Sequence, residues 1–355
     1  MSWTLADRYS LDDVLAVLGQ GREVYALETQ DDGRYKLSRD TAWQAGRHTL
    51  GAFRQTEPLK ALFFPPREFI GRWKEEATRQ PMPERIVYGV KNCDLSSLAI
   101  FDHVFLDGVV RDPYYAEARE KTVLVSTDCS GQLDVCFCPA VGEQPYARQG
   151  FDINIAETPE GVLIESGSGR GEELLRSAEQ YLQPAGDDLL AAIEKQRARR
   201  YRELTEQSEA HGLAPGTDLR AAVEGAFGSE LWGEFARDCV ECGACNYICC
   251  TCHCFLLADG MDEQGVPART KLWDACLYSG FARTAGGGTP RPFRAERLRN
   301  RFDKKFSYFP QVLGRYACDG CGRCTEACIA DIDIRRVLKR AVDESSTLHA
   351  GSGSN

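Results

Sequence analysis

The spacing Cys-x2-Cys-x2-Cys-x3-Cys occurs twice, as Cys239-Val-Glu-Cys242-Gly-Ala-Cys245-Asn-Tyr-Ile-Cys249 and as Cys318-Asp-Gly-Cys321-Gly-Arg-Cys324-Thr-Glu-Ala-Cys328. Three thiolates at this spacing can grip one face of a [4Fe-4S] cube. The fourth, one helical turn on, normally reaches the cluster nucleated by the other copy. A zinc site could use some of these cysteines. Two full copies, each with Gly after its second Cys, instead specify a pair of cubane clusters. Cross-ligation then expects Cys239, Cys242, Cys245 and Cys328 on one cube, and Cys318, Cys321, Cys324 and Cys249 on the other. Such a chain moves electrons. Cluster potentials span roughly −700 to +450 mV, so spacing leaves the direction of flow open. Backbone N–H groups around Gly243 and Gly322, which lack a Cβ, are expected among the groups that tune the sulfurs.

Both copies depart from the usual pattern, in which Pro follows the fourth Cys. Cys250 and Ile329 stand there instead. The first run continues Cys250-Thr-Cys252-His-Cys254-Phe255, so spare thiols lie beside a cluster. Spacing favours Cys249 as the ligand over Cys250 and Cys252. With Cys276, in Leu272-Trp-Asp-Ala-Cys276, the thiols of Cys252 and Cys254 allow two readings. One is an extra metal site. The default is small buried thiols filling a cysteine-rich core.

The remaining cysteines are Cys93, Cys129, Cys136 and Cys138. Cys93 and Cys129 each fall just beyond an expected strand, where loops at the carboxyl ends of α/β sheets form binding crevices. Cys93 also precedes an expected helix, whose N–H groups and dipole favour an anion. Cys136-Phe-Cys138 adds two thiols in a short loop. Four thiols outside the paired motifs point to a third [4Fe-4S] cluster, with zinc or ordinary thiols as the other readings.

The 355 residues suffice for two or three domains. A net charge of −10 argues against a nucleic-acid surface. Twelve of the sixteen cysteines crowd between 239 and 328, and no secretory leader is evident, so a reduced, anaerobic or microaerobic cytoplasm is expected. The apolar runs are too short to span a bilayer. Residues 1–212 read as an α/β (or α+β) domain. Strands are expected at 23–27, 34–37, 85–90, 121–127 and 161–165, with Asp94 capping a helix over 95–101. Residues 186–212 read as a charged, solvated connecting helix. Residues 213–345 read as an α-helical ferredoxin-like domain carrying the two clusters, with Thr217 and Ser229 as helix caps and helical patterns at 295–305 and 334–342. Residues 346–355 read as a flexible tail. The basic stretch Arg291 to Lys305 reads by default as a solvated helix face; docking on an acidic partner or neutralising clusters is the alternative.

No Gly-x-Gly-x-x-Gly after a strand, Walker loop, nucleophile elbow or zinc-hydrolase helix occurs. Gly167-Ser-Gly169-Arg-Gly171 reads as a turn, and the five histidines are scattered. No catalytic residue is nominated.

Residues 239–255, Trp273-Asp-Ala-Cys276, Ala285-Gly-Gly, Lys305-Phe-Ser-Tyr-Phe309 and residues 318–334 resemble the iron-sulfur beta subunits of sulfhydrogenases and the corresponding iron-sulfur subunits of anaerobic sulfite reductases. Gly89-Val-Lys-Asn-Cys93-Asp-Leu, Asp112-Pro-Tyr-Tyr115 and Cys136-Phe-Cys138 fit the same family. The resemblance implies a cytoplasmic complex. A flavoprotein subunit with FAD exchanges electrons with NAD(P)H, this subunit relays them, and a nickel-iron hydrogenase or sirohaem sulfite reductase subunit uses them. Two other readings stay open: a thiol or heterodisulfide reductase using Cys250, Cys252 or Cys254 beside a cluster, and a redox-sensing regulator, disfavoured by the acidic charge.

Overall fold

The computed structural model describes residues 2–6, 9–73 and 81–351. It divides into two compact units. One comprises Met1–Phe63, Pro81–Asp134 and Glu143–Leu204; the other comprises Phe64–Gln80, Val135–Gly142 and Thr205–Asn355. Residues 352–355 of the tail read as flexible lie outside the described residues, while the last helix, Ile334–Gly351, extends well past the expected 342.

The first unit is built on one mixed sheet. Its centre is parallel: Glu23–Thr29, Arg85–Val90, Thr122–Thr127 and Ile153–Thr158 lie side by side in that order. Arg85–Val90 and Thr122–Thr127 are buried along their whole length. Continuous runs such as Ile-Val-Tyr-Gly-Val suit this position, because a parallel strand is covered on both faces. Antiparallel strands complete the sheet, Tyr35–Asp40 and the short His48–Thr49 against Glu23–Thr29 on one side and Gly161–Ser166, Ser2–Leu5 and Leu182–Pro184 on the other. Leu15, Leu18, Ile86, Val123, Val125 and Ile153 are among the side chains of its core.

The helix after Arg85–Val90 runs Asn92–Phe105, longer than expected. Lys91, not Asp94, takes its N-cap position. Asp94 sits inside the first turn and accepts the Leu59 N–H at 3.0 Å. Asp112 caps the following helix by accepting from the N–H groups of Tyr114 and Tyr115, with Pro113 at its first position. The charged helix Asp187–Ala210 is not simply solvated. Arg197 is 4% exposed and pairs with Asp128 at 2.6 Å and Glu165 at 2.8 Å.

The second unit is mainly helical, around a core that includes Leu219, Val223, Trp232, Leu298, Phe302 and Leu338. Asp218, one residue beyond the expected Thr217, caps Leu219–Gly225. Sequence reasoning placed no strands between the two cysteine motifs. The structure has a hairpin there, Phe255–Met261 paired with Pro267–Trp273, and Arg67–Arg72 adds a third antiparallel strand. The turn needs Gly265 at φ +74°, a backbone state costly for other residues.

Before the second motif, one helical run changes width. Arg294–Phe302 is α-helical, Asp303–Tyr308 is a π turn, and Phe309–Leu313 is α-helical again. Among the described residues no helix is long and apolar enough to cross a membrane.

Candidate metal centres

Each cysteine motif opens into a one-turn helix, Ala244–Tyr247 and Arg323–Glu326, whose N-cap glycine is left-handed: Gly243 at φ +72° and Gly322 at φ +69°. A Cβ on Gly243 would come within 2.7 Å of the Tyr278 ring, and one on Gly322 would strike Val135. The glycines are thus required by crowding behind the loops as well as by the turn itself.

The two motifs then interleave. One cleft, enclosing about 570 Å³ with open solvent included, is lined by Cys239, Cys242, Cys245 and Cys328, with Cys324 and Arg301 also at its wall. Cys328 Sγ accepts the backbone N–H of Ile332 at 3.3 Å. Cys242 is exposed, and Val240 (59%) and Ile329 (77%) stand out beside it, so this cleft lies near the surface. A second cavity, of about 290 Å³, is lined by Cys318, Cys321, Cys324 and Cys249, with Cys250, Arg301 and Lys305. Among the described residues no three His, Cys, Asp or Glu side chains gather closely enough to hold a single ion. Four thiols spread around a cavity are what a cube several ångströms across requires, because each sulfur binds a different iron. The donor set and its spacing fit [4Fe-4S] clusters better than zinc.

Cations surround these sulfurs. Lys305 is buried; its Nζ donates to Cys249 Sγ at 3.3 Å, to Thr251 Oγ1 at 2.8 Å and to the Ala317 carbonyl at 2.8 Å. Burial alone would lower its pKa, yet Cys249 and Cys252 drive it above the usual lysine value. Arg301 is 4% exposed and lies against both cavities. Burial again opposes its charge, while Cys245, Cys252, Cys324 and Cys249 hold it protonated. Cys249 itself is held well below the ordinary thiol range, by hydrogen bonds from Cys250 and Cys252 and by Lys305. Cys250 is held well above it, because it donates to Cys249 and Cys321 and is buried. Burial pushes Cys245 up to about 12.

The basic stretch before the second motif is solvated only in part, with Arg294 exposed. Arg297, Arg301 and Lys305, spaced i, i+4 and i+8 on one helix face, are all buried. Arg297 binds Glu241 at 2.7 Å and the carbonyl oxygens of Leu277, Arg291 and Pro292. Sequence reasoning did not nominate Arg301, Lys305 or Asn246 individually; the i, i+4 spacing of the cations was the available signal.

The four remaining cysteines fall two in each unit. Cys93 and Cys129 follow the carboxyl ends of the parallel strands Arg85–Val90 and Thr122–Thr127. Between them is Lys91, whose Nζ donates to the carbonyl oxygens of Gly51 (2.6 Å) and Asp128 (3.2 Å) and to Thr127 Oγ1 (2.5 Å). Burial lowers the Lys91 pKa, with Cys129, Asp128 and Cys93 acting in the opposite sense. In the second unit, Cys136 and Cys138 flank Phe137, whose N–H donates to the Gly320 carbonyl at 2.8 Å, inside the second motif. Gln207 Nε2 donates to the Cys136 carbonyl at 2.7 Å.

Residues 238–332 match the family model of the 4Fe-4S dicluster domain, which defines this as an iron-sulfur protein. A sulfhydrogenase 2 subunit beta from Pyrococcus furiosus is 32% identical over 283 residues, covering 79% of this chain and 81% of the relative. The chain belongs to the family of iron-sulfur beta subunits that includes that protein, and is an electron-transfer subunit of hydrogenase-related type. No solved structure matches it.

Proposed function

We propose that this chain relays electrons, through two [4Fe-4S] clusters, within a cytoplasmic oxidoreductase complex. Cys239, Cys242, Cys245 and Cys328 would hold one cluster; Cys318, Cys321, Cys324 and Cys249 would hold the other. The carrying observation is that two separate cavities are each lined by three cysteines of one motif and the fourth cysteine of the other. The clusters supply one-electron storage. The chain supplies thiolates, buried cations that compensate their charge, and largely apolar walls. The Lys305 ammonium 3.3 Å from Cys249 Sγ, against the Asp319 carboxylate 3.5 Å from Cys250 Sγ, supports Cys249 as the ligand.

The partners in this reading are a flavoprotein carrying FAD that exchanges electrons with NAD(P)H, and a catalytic subunit. The name of the Pyrococcus relative favours a hydrogenase type, here proposed to be nickel-iron, over a sirohaem sulfite reductase type. A thiol reductase built on Cys250 is disfavoured, because that thiol is 1% exposed and could not meet a disulfide substrate.

Anaerobic purification and iron counting test the assignment. Cys249→Ser is expected to lose about four iron atoms per chain and Cys250→Ser none. Equal iron in wild type and Cys249→Ser would overturn the ligand set. Co-purification of a sirohaem protein in place of a hydrogenase large subunit would overturn the partner assignment.

A further inference from the structure

The surplus thiols are gathered in a cavity of their own. Cys252, Cys254 and Cys276 line about 320 Å³ of space, open solvent included, together with His253, Arg301, Lys304 and Lys305, and no carboxylate is among the lining residues. Each sulfur is faced by a nitrogen donor. Asn246 Nδ2 is 3.1 Å from Cys276 Sγ and 3.8 Å from Cys252 Sγ, Arg301 Nη1 is 3.4 Å from Cys252 Sγ, and Lys304 Nζ is 3.9 Å from Cys254 Sγ. Arg301 Nη2 is buried without a hydrogen-bond partner among the described residues. A buried guanidinium nitrogen left so is costly and calls for an anion. Neutral thiols are weak acceptors and do not answer Arg301 and Lys304, while Lys305 is already turned to Cys249, Thr251 and the Ala317 carbonyl.

We propose that this cavity is a further iron-sulfur site, in which Cys252, Cys254 and Cys276 hold a cluster separate from the pair assigned above. The three thiols are not drawn together as a single ion would need. They ring a space, as cluster ligands do. A [4Fe-4S]2+ core with three thiolates carries one net negative charge, and Arg301, Lys304 and Lys305 compensate it. Three cysteines and His253 line the cavity, so one iron of the cube has no thiolate and at most an imidazole, and that iron is the labile one. Arg301 lines this cavity and both of the others, which puts one guanidinium in the wall of three adjoining centres.

The whole chain, prepared anaerobically, provides the test. Cys252→Ser/Cys254→Ser/Cys276→Ser is expected to lose about four irons per chain and to keep those removed by Cys242→Ser or Cys321→Ser. A labile iron gives a second readout on wild-type protein. Ferricyanide takes one electron as [4Fe-4S]2+ becomes [3Fe-4S]+ and releases Fe2+, so the electron paramagnetic resonance signal of a three-iron cluster appears. That signal should vanish in Cys276→Ser and persist in Cys242→Ser. Unchanged iron in a folded triple variant overturns the proposal; so does wild-type protein that yields no such signal. Iron loss confined to Cys242→Ser and Cys321→Ser would leave the dicluster reading standing and remove this one.

Discussion

Replacing Lys305 by methionine removes one enclosed positive charge and leaves the length of the side chain nearly unchanged. Lys305 Nζ lies 3.3 Å from Cys249 Sγ. A full unit charge on that sulfur would interact at about 5 kcal/mol in an effective dielectric of ~20. An electron added to a cube is shared among its corners, with roughly a quarter near this sulfur and the rest farther away. Loss of the ammonium then destabilises the reduced form by on the order of 2 kcal/mol, which for a one-electron couple is ~90 mV. The sign is fixed: reduction adds negative charge, so removing a cation lowers the potential. The assay is an anaerobic redox titration followed by electron paramagnetic resonance, on wild type, Lys305→Met and Lys305→Arg. The methionine variant should fall by about that amount, and the arginine variant should stay near wild type. A methionine variant with full iron and a midpoint within ~20 mV of wild type would refute the reasoning.

Gly320→Ala should cost roughly 2–4 kcal/mol, because its Cβ would come within 2.5 Å of the backbone of Cys138 and φ is +65°. Gly314→Ala, with φ +67° and open space around it, should cost only about 1 kcal/mol; equal urea midpoints for the two would contradict the crowding. Arg197→Met should destabilise by about 3–5 kcal/mol, since it strands the buried Asp128 carboxylate, and an unchanged midpoint would disprove the burden placed on that ion pair. Asp303 is raised to about 6, by burial first, against the pull of Arg299 and Arg291. Its folded pKa exceeds its unfolded value, so the proton it retains stabilises the fold at low pH, and this contribution fades as pH rises from ~4 to ~6. Between about pH 5 and 7.5 wild type should lose ~1.4 kcal/mol relative to Asp303→Asn, and parallel pH profiles would show otherwise.

The interleaving of the two cysteine motifs around two cavities was legible in their spacing. The strands at 85–90 and 121–127 follow from unbroken apolar runs. The hairpin Phe255–Met261 and Pro267–Trp273 was not legible in the same way. Phe255, Leu256 and Leu257 are all substantially exposed, so no inward-outward alternation marks the first strand. The burial of Arg301 and Lys305 was hidden for another reason. Basic residues on a helix normally face water, and only the thiols brought round by the fold make an interior position tolerable. Asn246 has no sequence signal at all; its role depends on Cys276, thirty positions away.

The π turn Asp303–Tyr308 carries one residue more than an α-helical turn of the same rise. It acts as a vernier between two stretches of helix. Upstream, Arg297 and Arg301 keep their aim; downstream, Phe309 meets the His253 ring edge-on at 5.4 Å. Trimming a single residue would restore ordinary pitch and rotate everything after it by about 100°, carrying Phe309 off His253. At this point the chain is constrained in length as tightly as in chemistry, and related sequences should vary here by exchange of side chains and not by gain or loss of residues.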